Sequence, residues 1–354
     1  MPLSKIQFGN TSNRNLIING DFQIFQRATS ATNPGGGYDT ADRWRSSQNS
    51  SGLGNYTAEQ STDTPNGFGF SYKLTKSGAT TQGSGVSAYI QQYIEGQNVQ
   101  HLNYGSSSAK KVTASFHVKS SVTGTYGVRL GDGQAGKHNV QTFTISSANT
   151  WEKKVVTFNG DTATALANDN SAELDFAIVL GAGSSKQTSS TNTWASGDLL
   201  STSSQTQWPQ TDGATFFMTC IQLEVGDVST EFEHRSFAET LEKCQRYFIM
   251  HSNLGTNTAL SDGFSWDATE VDFMYTFPVQ MRATPSIYQV TGANYFKIQG
   301  NSVTSYVDGN WTLQYASKFA TSHYATSDAS RTAGDSCHIT FNNTAARLGY
   351  SAEL

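Results

Sequence analysis

The sequence predicts an all-β protein: a jelly-roll β-sandwich, one connecting helix, and a small antiparallel β domain. Among its 354 residues, only 14% are charged and 32 are Gly. The polar residues are mainly Ser, Thr, Asn and Gln, which is typical of strands and turns, whereas exposed helix faces usually carry Lys and Glu. Aromatic residues reach 12%, which argues against disorder.

Short alternating runs define the first domain, which we place at residues 15–235 behind an N-terminal arm at 1–14. In residues 112–118, Val112, Phe116 and Val118 share one face of a strand and His117 lies on the other. Strands that are apolar on one face only must pack sheet on sheet, as in a β-sandwich. Similar runs follow at the spacing of a sandwich: 125–130, 140–145, 153–158, 174–180 and 215–223.

Two stretches of this domain lack strand periodicity, residues 28–66 and 181–214. Long irregular loops in a compact domain are usually functional or disordered. The second stretch carries Trp194 and Trp208, and free loops seldom keep tryptophans, so we expect it to be ordered.

One helix is predicted, over residues 236–253. Ser236 and Glu239 form a capping-box pattern, in which the Ser oxygen accepts the Glu backbone N–H and the Glu carboxylate reaches back. Apolar residues follow at helical spacing: Phe237, Leu241, Cys244 and Phe248. The helix separates two β-rich regions and is interpreted as a connector.

Residues 254–354 return to the strand pattern and predict a small C-terminal β domain. Alternation is clearest over 271–277, and Asp308-Gly309-Asn310 has the composition of a hairpin turn. No internal repeat relates this domain to the first one.

The charge distribution excludes several classes of function. The formal net charge is −5, and no Lys/Arg cluster suits a phosphate backbone, so no nucleic-acid partner is expected. No apolar run is long enough for membrane insertion. The opening residues lack the apolar core of a secretory signal, which predicts synthesis in a cytoplasm. Three widely spaced cysteines indicate neither a disulfide framework nor a zinc site; no metal or cofactor is expected.

Motifs for catalysis are weak. The segment Gly131–Lys137 matches a phosphate-binding loop by spacing, but His138 replaces the required Ser or Thr and a strand follows, so a hairpin loop explains it. No nucleophile elbow is present. Carboxylates are grouped at Asp161, Asp169, Glu173 and Asp175, where a solvated sheet face is favoured over the paired acids of a glycosidase. The sequence thus predicts no catalytic residues and no enzyme.

Aromatic side chains in polar segments are the candidate binding residues. A sugar ring stacks an apolar face on an aromatic ring, while its hydroxyls pair with amides and hydroxyls. The alternative is that these rings fill the core or a subunit interface. The candidates are Tyr89, Tyr93, Tyr104, Trp194 and Trp208.

Two end segments resemble known proteins. Residues 15–22 (NLIINGDF), Gln26-Arg27 and residues 38–44 (YDTADRW) resemble the opening of tail-fibre and other virion surface proteins of bacteriophages, especially marine ones. Residues 217–248 look like the end of the same module, so the resemblance covers about residues 15–250. It implies a location on the virion and recognition of sugars.

The opening is also similar to the NGDFE-type motif of jelly-roll carbohydrate-binding modules, some of which hold a structural calcium through that Glu. Here Gln23 stands in its place and lacks the charge that a hard cation prefers, so the calcium site is not carried over. We interpret the motif residues as structural: Asn19, Gly20, Asp21, Phe22, Glu224, Ser236 and Glu239.

These observations together favour a tail-fibre or tailspike-type protein that adsorbs to host surface polysaccharide without cutting it. The first alternative is a capsid decoration, head-fibre or tail-adaptor protein that binds other virion proteins. The second is a glycan-degrading enzyme. By analogy with such virion proteins, we expect a homotrimer.

Overall fold

The computed structural model describes residues 13–46, 52–133, 135–251 and 256–354. The chain divides into two compact units, residues 1–240 and 241–354. Strands account for 44% of the residues and helix for 6%, so the all-β prediction is confirmed. The predicted arm at residues 1–14 lies almost entirely outside the described residues.

The first unit contains twelve strands among its described residues, separated by turns and by short 3-10 segments. Their bounds are β1 Ser30–Thr32, β2 Arg45–Ser46, β3 Tyr56–Ser61, β4 Ser71–Lys76, β5 Ser87–Glu95, β6 Val112–Ser120, β7 Gly124–Asp132, β8 Lys137–Ile145, β9 Glu152–Phe158, β10 Ala172–Ala182, β11 Trp194–Ser196 and β12 Thr215–Val225.

These strands form two six-stranded antiparallel sheets. The first sheet has the order β1-β3-β4-β12-β6-β9, and the second has the order β11-β8-β7-β10-β5-β2. One apolar core lies between them. Its largest fully buried side chains include Trp44, Trp208, Tyr126, Phe116 and Phe176. Burying a large apolar side chain contributes about 1.5–3 kcal/mol, so this core stabilises the sandwich and leaves the outer faces for other roles.

The NGDF segment closes one end of the sandwich. Asn19 adopts a left-handed backbone (φ 56°), and its side chain bonds the Ile24 N–H at 3.0 Å and the Ile24 carbonyl at 2.9 Å. A Cβ on Gly20 would lie 2.1 Å from the Ile221 carbonyl oxygen, so only glycine allows this close approach. Phe22 stacks on Tyr72 with ring centroids 5.3 Å apart.

Two acidic motif residues hold local structure. Asp21 is 8% exposed and accepts a hydrogen bond from the Gln23 side chain; burial raises its pKa, and the Gln23 bond offsets part of that rise. Glu224, 3% exposed, accepts the Thr230 backbone N–H and hydroxyl, each at 2.7 Å. Glu224 therefore fixes the turn after β12.

The helix α1 spans Phe237–Gln245, which is shorter than the predicted 236–253. Its capping box forms: the Ser236 N–H donates to the Glu239 carboxylate at 2.9 Å, and the Glu239 N–H donates to the Ser236 hydroxyl at 3.3 Å. Helical spacing placed Phe248 in the helix, which is wrong. The segment Phe248–Met250 pairs with the last strand instead. The predicted end at residue 253 lies outside the described residues.

The second unit contains ten strands among its described residues. Their bounds are β13 Phe248–Met250, β14 Thr258–Ser265, β15 Glu270–Thr276, β16 Ser286–Val290, β17 Phe296–Gly300, β18 Val303–Tyr306, β19 Thr312–Ala316, β20 Ala320–Thr326, β21 Ser336–Phe341 and β22 Arg347–Ser351. They form a three-stranded sheet (β13-β22-β16) and a seven-stranded sheet (β18-β17-β21-β14-β15-β20-β19).

Asp308-Gly309-Asn310 does not make the predicted hairpin. The strand before it, β18, pairs with β17, and the strand after it, β19, pairs with β20 at the opposite edge of the sheet. Trp311, directly after this segment, is buried at 1% exposure in the core, against Phe273 and Phe296.

Three further features bear on the classes of function considered above. Strands β7 and β8 form a regular antiparallel hairpin, so no helix follows the segment that resembles a phosphate-binding loop. Cys220, Cys244 and Cys337 are free and buried. Within the described part of the chain, no helix has the length and apolar character needed to cross a membrane.

Candidate functional site

The outer face of the second sheet carries a set of polar and aromatic side chains that face away from the core. On β5, Tyr89, Gln91 and Tyr93 share this face, because Ile90 and Ile94 pack in the core. Both tyrosines are partly exposed, while Gln91 is only 2% exposed. The two rings stand four residues apart, about 13 Å along the strand, with a buried amide between them.

The neighbouring strands extend this face. Gln91 pairs with Arg45 of β2 on one side and with Ala177 of β10 on the other, and Ala177 pairs with Arg129 of β7. The basic side chains of Arg45 and Arg129 thus lie on either side of Gln91 and Ala177.

Arg129 is the centre of the buried polar layer, at 4% exposure. Its guanidinium lies 3.4 Å from Asp175 Oδ1, 3.3 Å from Asp198 Oδ1 and 3.4 Å from Gln91 Oε1. Burial alone would lower the pKa of Arg129, but the Asp175 carboxylate reverses this and raises it. The guanidinium also lies 4.9 Å from the ring centroid of Tyr89, so the charged layer supports that ring from one side.

The Asp175 side chain packs directly against the backbone of Gly131, its partner on the neighbouring strand. A Cβ on Gly131 would be 2.1 Å from Asp175 Oδ2 and 2.9 Å from the His138 ring. Burial lowers the pKa of His138, and the nearby Arg129 charge lowers it further. The His138 ring bonds the Gly197 carbonyl, which holds the irregular segment over this side of the sheet.

Residues 197–201 pack over the outer face of strand β7. A Cβ on Gly127 would lie 2.7 Å from the Ser201 hydroxyl oxygen, and Leu200 packs on Val179, with Tyr89 against the same small cluster. Asp198 links this segment to the sheet, since it binds both Arg129 and, at 2.6 Å, the Lys186 ammonium. Burial would raise the pKa of Asp198, but these cations hold it below its usual value.

A cluster of guanidinium groups surrounds Tyr38 at the opposite edge. Arg27, Arg43 and Arg45 place their guanidinium carbons 5.7, 6.0 and 5.8 Å from its ring centroid. Arg45 also lies 5.4 Å from the Tyr93 centroid, and Arg43 donates to the Tyr93 carbonyl at 2.7 Å. Tyr93 is therefore held at both its ring and its backbone.

The structure separates the five aromatic candidates. Tyr89 and Tyr93 share the face described above. Trp208 is fully buried and Tyr104 is 7% exposed, both inside the core of the sandwich, so the prediction that they stack on a sugar is wrong. Trp194 is partly buried, packs edge-on against Tyr104 and donates to the Asn159 carbonyl at 2.7 Å. Their apolar surface stabilises the fold and holds the 181–214 segment against it.

The grouped carboxylates are each engaged in local structure. Asp175 pairs with Arg129, and Asp161 lies 3.6 Å from the Lys137 ammonium. Glu173 accepts the Ala167 N–H at 2.8 Å, and Asp169 accepts the Ser171 N–H at 2.8 Å. Among the residues that the structure describes, no group of three His, Cys, Asp or Glu side chains has the geometry to hold a metal ion.

Sequence reasoning missed the polar part of this face. Gln91, Arg129 and Arg45 occupy alternating outward positions of three strands, and the strand period alone predicts that they face outward. What the sequence lacks is the strand order β2-β5-β10-β7, which makes them neighbours.

Comparisons with known proteins find structural likeness only. No family model and no curated protein matches the chain. A putative sugar binding protein from Bacteroides thetaiotaomicron matches with 15% identity and a TM-score of 0.36, covering 60% of this chain and 99% of that one. The N-terminal cellulose-binding domain of Cellulomonas fimi β-1,4-glucanase C has 13% identity, a TM-score of 0.27, and covers 58% and 100%.

A family 11 carbohydrate-binding module from Clostridium thermocellum, in complex with a β-1,3-1,4-mixed-linked tetrasaccharide, has 13% identity and a TM-score of 0.26, covering 59% of this chain and 95% of that one. At these identities and TM-scores the matches do not identify a function, which must follow from the residues of this chain.

Proposed function

We propose that this chain is a non-catalytic, glycan-binding protein of a bacteriophage particle, of the tail-fibre or tailspike type. It adsorbs to host surface polysaccharide through the outer face of its second sheet. The observation that carries the proposal is the pair of partly exposed rings, Tyr89 and Tyr93, mounted on a buried layer of Gln91, Arg129 and Asp175.

This arrangement suits sugars because it presents apolar rings and hydrogen-bonding groups together. Arg129 lies against the Tyr89 ring and Arg45 lies against the Tyr93 ring, and these contacts restrict both rings. Side chains that are already ordered lose little conformational entropy when a ligand binds. The rigid strands of the sheet then set the spacing of the two rings.

The carboxylates support binding over hydrolysis. A glycosidase needs one carboxylic acid and one carboxylate facing the same cleft. Here Asp175 is held by Arg129, and Glu173 accepts the backbone N–H of Ala167. Both carboxylates are thus engaged in contacts within the protein.

The virion setting rests on the resemblance of residues 15–44 and 217–248 to phage surface proteins. Such a protein acts at the particle surface, with copies of itself in a homotrimer and with other virion proteins as partners. Several copies of one weak sugar site raise the overall affinity through multivalency.

The test is adsorption of the purified, fluorescently labelled chain to host cells, with soluble host polysaccharide as competitor. Tyr93→Ala should weaken adsorption by about tenfold, since a lost aromatic contact costs about 0.5–1.5 kcal/mol beyond its buried area. Trp151→Ala is the matched control, because Trp151 is a partly buried aromatic ring that packs on Phe217 of the other sheet. It should adsorb like the unaltered chain.

Three outcomes would contradict the proposal. Absence of adsorption by the folded chain favours a decoration or adaptor protein that is held by virion contacts. Equal losses in the two variants show that the second sheet is not the binding face. Shortening of the polysaccharide during incubation shows an enzyme.

A further inference from the structure

A groove lies in the C-terminal unit, on the outer face of its seven-stranded sheet. Its volume is about 420 Å³, and its walls come from strands β14, β15, β19 and β20. Large apolar side chains line it while remaining open to solvent: Phe264 (41% exposed), Trp266 (62%), Met274 (68%) and Tyr315 (72%). Exposed apolar side chains that gather on one patch are typical of binding surfaces.

A buried carboxyl group lies in this apolar lining. Val271 and Phe273 point into the core, so Asp272 between them points to the outer face. Asp272 pairs in register with Phe264 on one neighbouring strand and Tyr324 on the other. It is only 4% exposed, and its Oδ1 atom has no hydrogen-bond partner. A buried acceptor without a partner costs about 1–3 kcal/mol, which a ligand that donates a hydrogen bond would recover.

The charges around Asp272 favour a cation. Burial, followed by the negative charges of Glu270 and Asp267, raises its pKa to about 6. Asp262 adds a carboxylate two positions before Phe264 on β14, where it pairs with the exposed His338 of β21. A positively charged group beside Asp272 would stabilise its ionised form and relieve this repulsion.

We propose that this groove binds an amino sugar with a free ammonium group, which donates to the Asp272 carboxylate while the sugar ring stacks on Trp266. An ammonium near exposed aromatic rings gains cation–π attraction in addition to the ion pair. A neutral N-acetyl group cannot supply that charge, so the site distinguishes free from acetylated amines.

The polar edge of the groove suits a sugar as the carrier of the ammonium. Gln314 and Ser322 line the groove and lie side by side, with the Ser322 hydroxyl 3.3 Å from Gln314 Oε1. Both can donate to and accept from sugar hydroxyls. The choice of a sugar over a basic peptide rests on the glycan-binding function proposed above, whereas the choice of an ammonium rests on Asp272 and the carboxylates around it.

The experiment compares two oligosaccharides by calorimetry with the full chain at about pH 6.5, above the pKa of Asp272. One is a glucosamine tetrasaccharide with free amines, and the other is its fully N-acetylated form. We expect the free-amine form to bind at least about tenfold more tightly, as for a charge-assisted hydrogen bond. Asp272→Asn should abolish that preference, and Trp266→Ala should weaken binding about tenfold.

Phe319→Ala is the matched control, since Phe319 is 61% exposed but does not line the groove; it should bind normally. Tyr93→Ala should also leave this binding unchanged, which separates this site from the one proposed in the first unit. Equal affinity for the two oligosaccharides, or full binding by Asp272→Asn, overturns the proposal. Tighter binding of a lysine-containing peptide than of the amino sugar overturns the sugar as carrier.

Discussion

The pKa values of two buried titratable side chains in the C-terminal unit are shifted in opposite directions. Burial, followed by the charges of Glu270 and Asp267, raises the pKa of Asp272 from 3.8 to about 6. Burial, followed by the nearby His251, lowers the pKa of His323 from 6.5 to about 4. Each shift favours the neutral form in the folded state, because a charge is costly where solvent is excluded.

Asp272→Asn should stabilise the protein at neutral pH but not in acid. The folded-state pKa of Asp272 lies above its unfolded value, so its stabilising contribution is present below about pH 4 and is lost as the pH rises through about 6. Asparagine does not ionise, so the variant does not lose stability at this position as the pH rises. The unfolding temperature of the variant should therefore exceed that of the unaltered chain at pH 7.5, with a smaller difference at pH 4. A difference that does not change with pH would contradict the assigned pKa.

His323→Phe should reduce the loss of stability in mild acid. His323 stacks on Phe273 with ring centroids 4.5 Å apart and an interplanar angle of 11°, and phenylalanine can keep that stacking. Because the folded pKa is depressed, the contribution of His323 is present above about pH 6.5 and is lost as the pH falls towards 4. Denaturant titrations at pH 7 and pH 4.5 measure this. An unchanged acid sensitivity in the variant would assign it to other groups.

At the scale of elements, the capping box of α1 can be tested by itself. The Ser236 hydroxyl accepts the Glu239 N–H, and replacing such an N-cap by alanine costs about 0.5–2 kcal/mol. We expect Ser236→Ala to lower the free energy of unfolding by about 1 kcal/mol, and Ser236→Thr to retain most of it. Urea denaturation followed by circular dichroism compares the two. Equal stabilities would show that tertiary contacts, not the cap, hold the helix start.

Strand and helix starts could be predicted from the sequence because local chemistry determines them. Alternation identified the strand at 112–118, now part of β6, and the capping box identified the start of α1. The end of α1 could not be predicted. Helical spacing continues to Phe248, but pairing with β22 takes that residue into a strand, so tertiary pairing overrides the local pattern.

For the candidate binding face, too, local sequence predicts some features and tertiary structure determines the others. Strand alternation predicts that Tyr89 and Tyr93 point to one side, yet the sequence cannot show that Arg129 and Arg45 lie beside them, because that depends on strand order. The sequence cannot show where Trp208 lies, because a tryptophan in a polar loop has the same local sequence whether it faces solvent or the core. Here it is fully buried.

At the scale of the whole molecule, each of the two compact units has its own core and its own candidate sugar-binding surface. The first presents tyrosines over a buried layer of guanidinium, amide and carboxylate groups. The second presents exposed aromatic rings around one buried carboxyl group. The first is mixed in charge, whereas the second is acidic, so under the two proposals above they would select different sugars.

Two surfaces with separate cores should act independently. Variants in sites that share no partners usually combine additively, within about 0.3–0.5 kcal/mol. In a double-mutant cycle on Tyr93→Ala and Asp272→Asn, we expect the first change to affect only host polysaccharide and the second only the free-amine oligosaccharide, with the double variant showing the sum of both losses. Calorimetry with each ligand measures all four proteins. A coupling energy above about 1 kcal/mol would contradict independent sites and would mean that one ligand bridges the two surfaces or that one site alters the other.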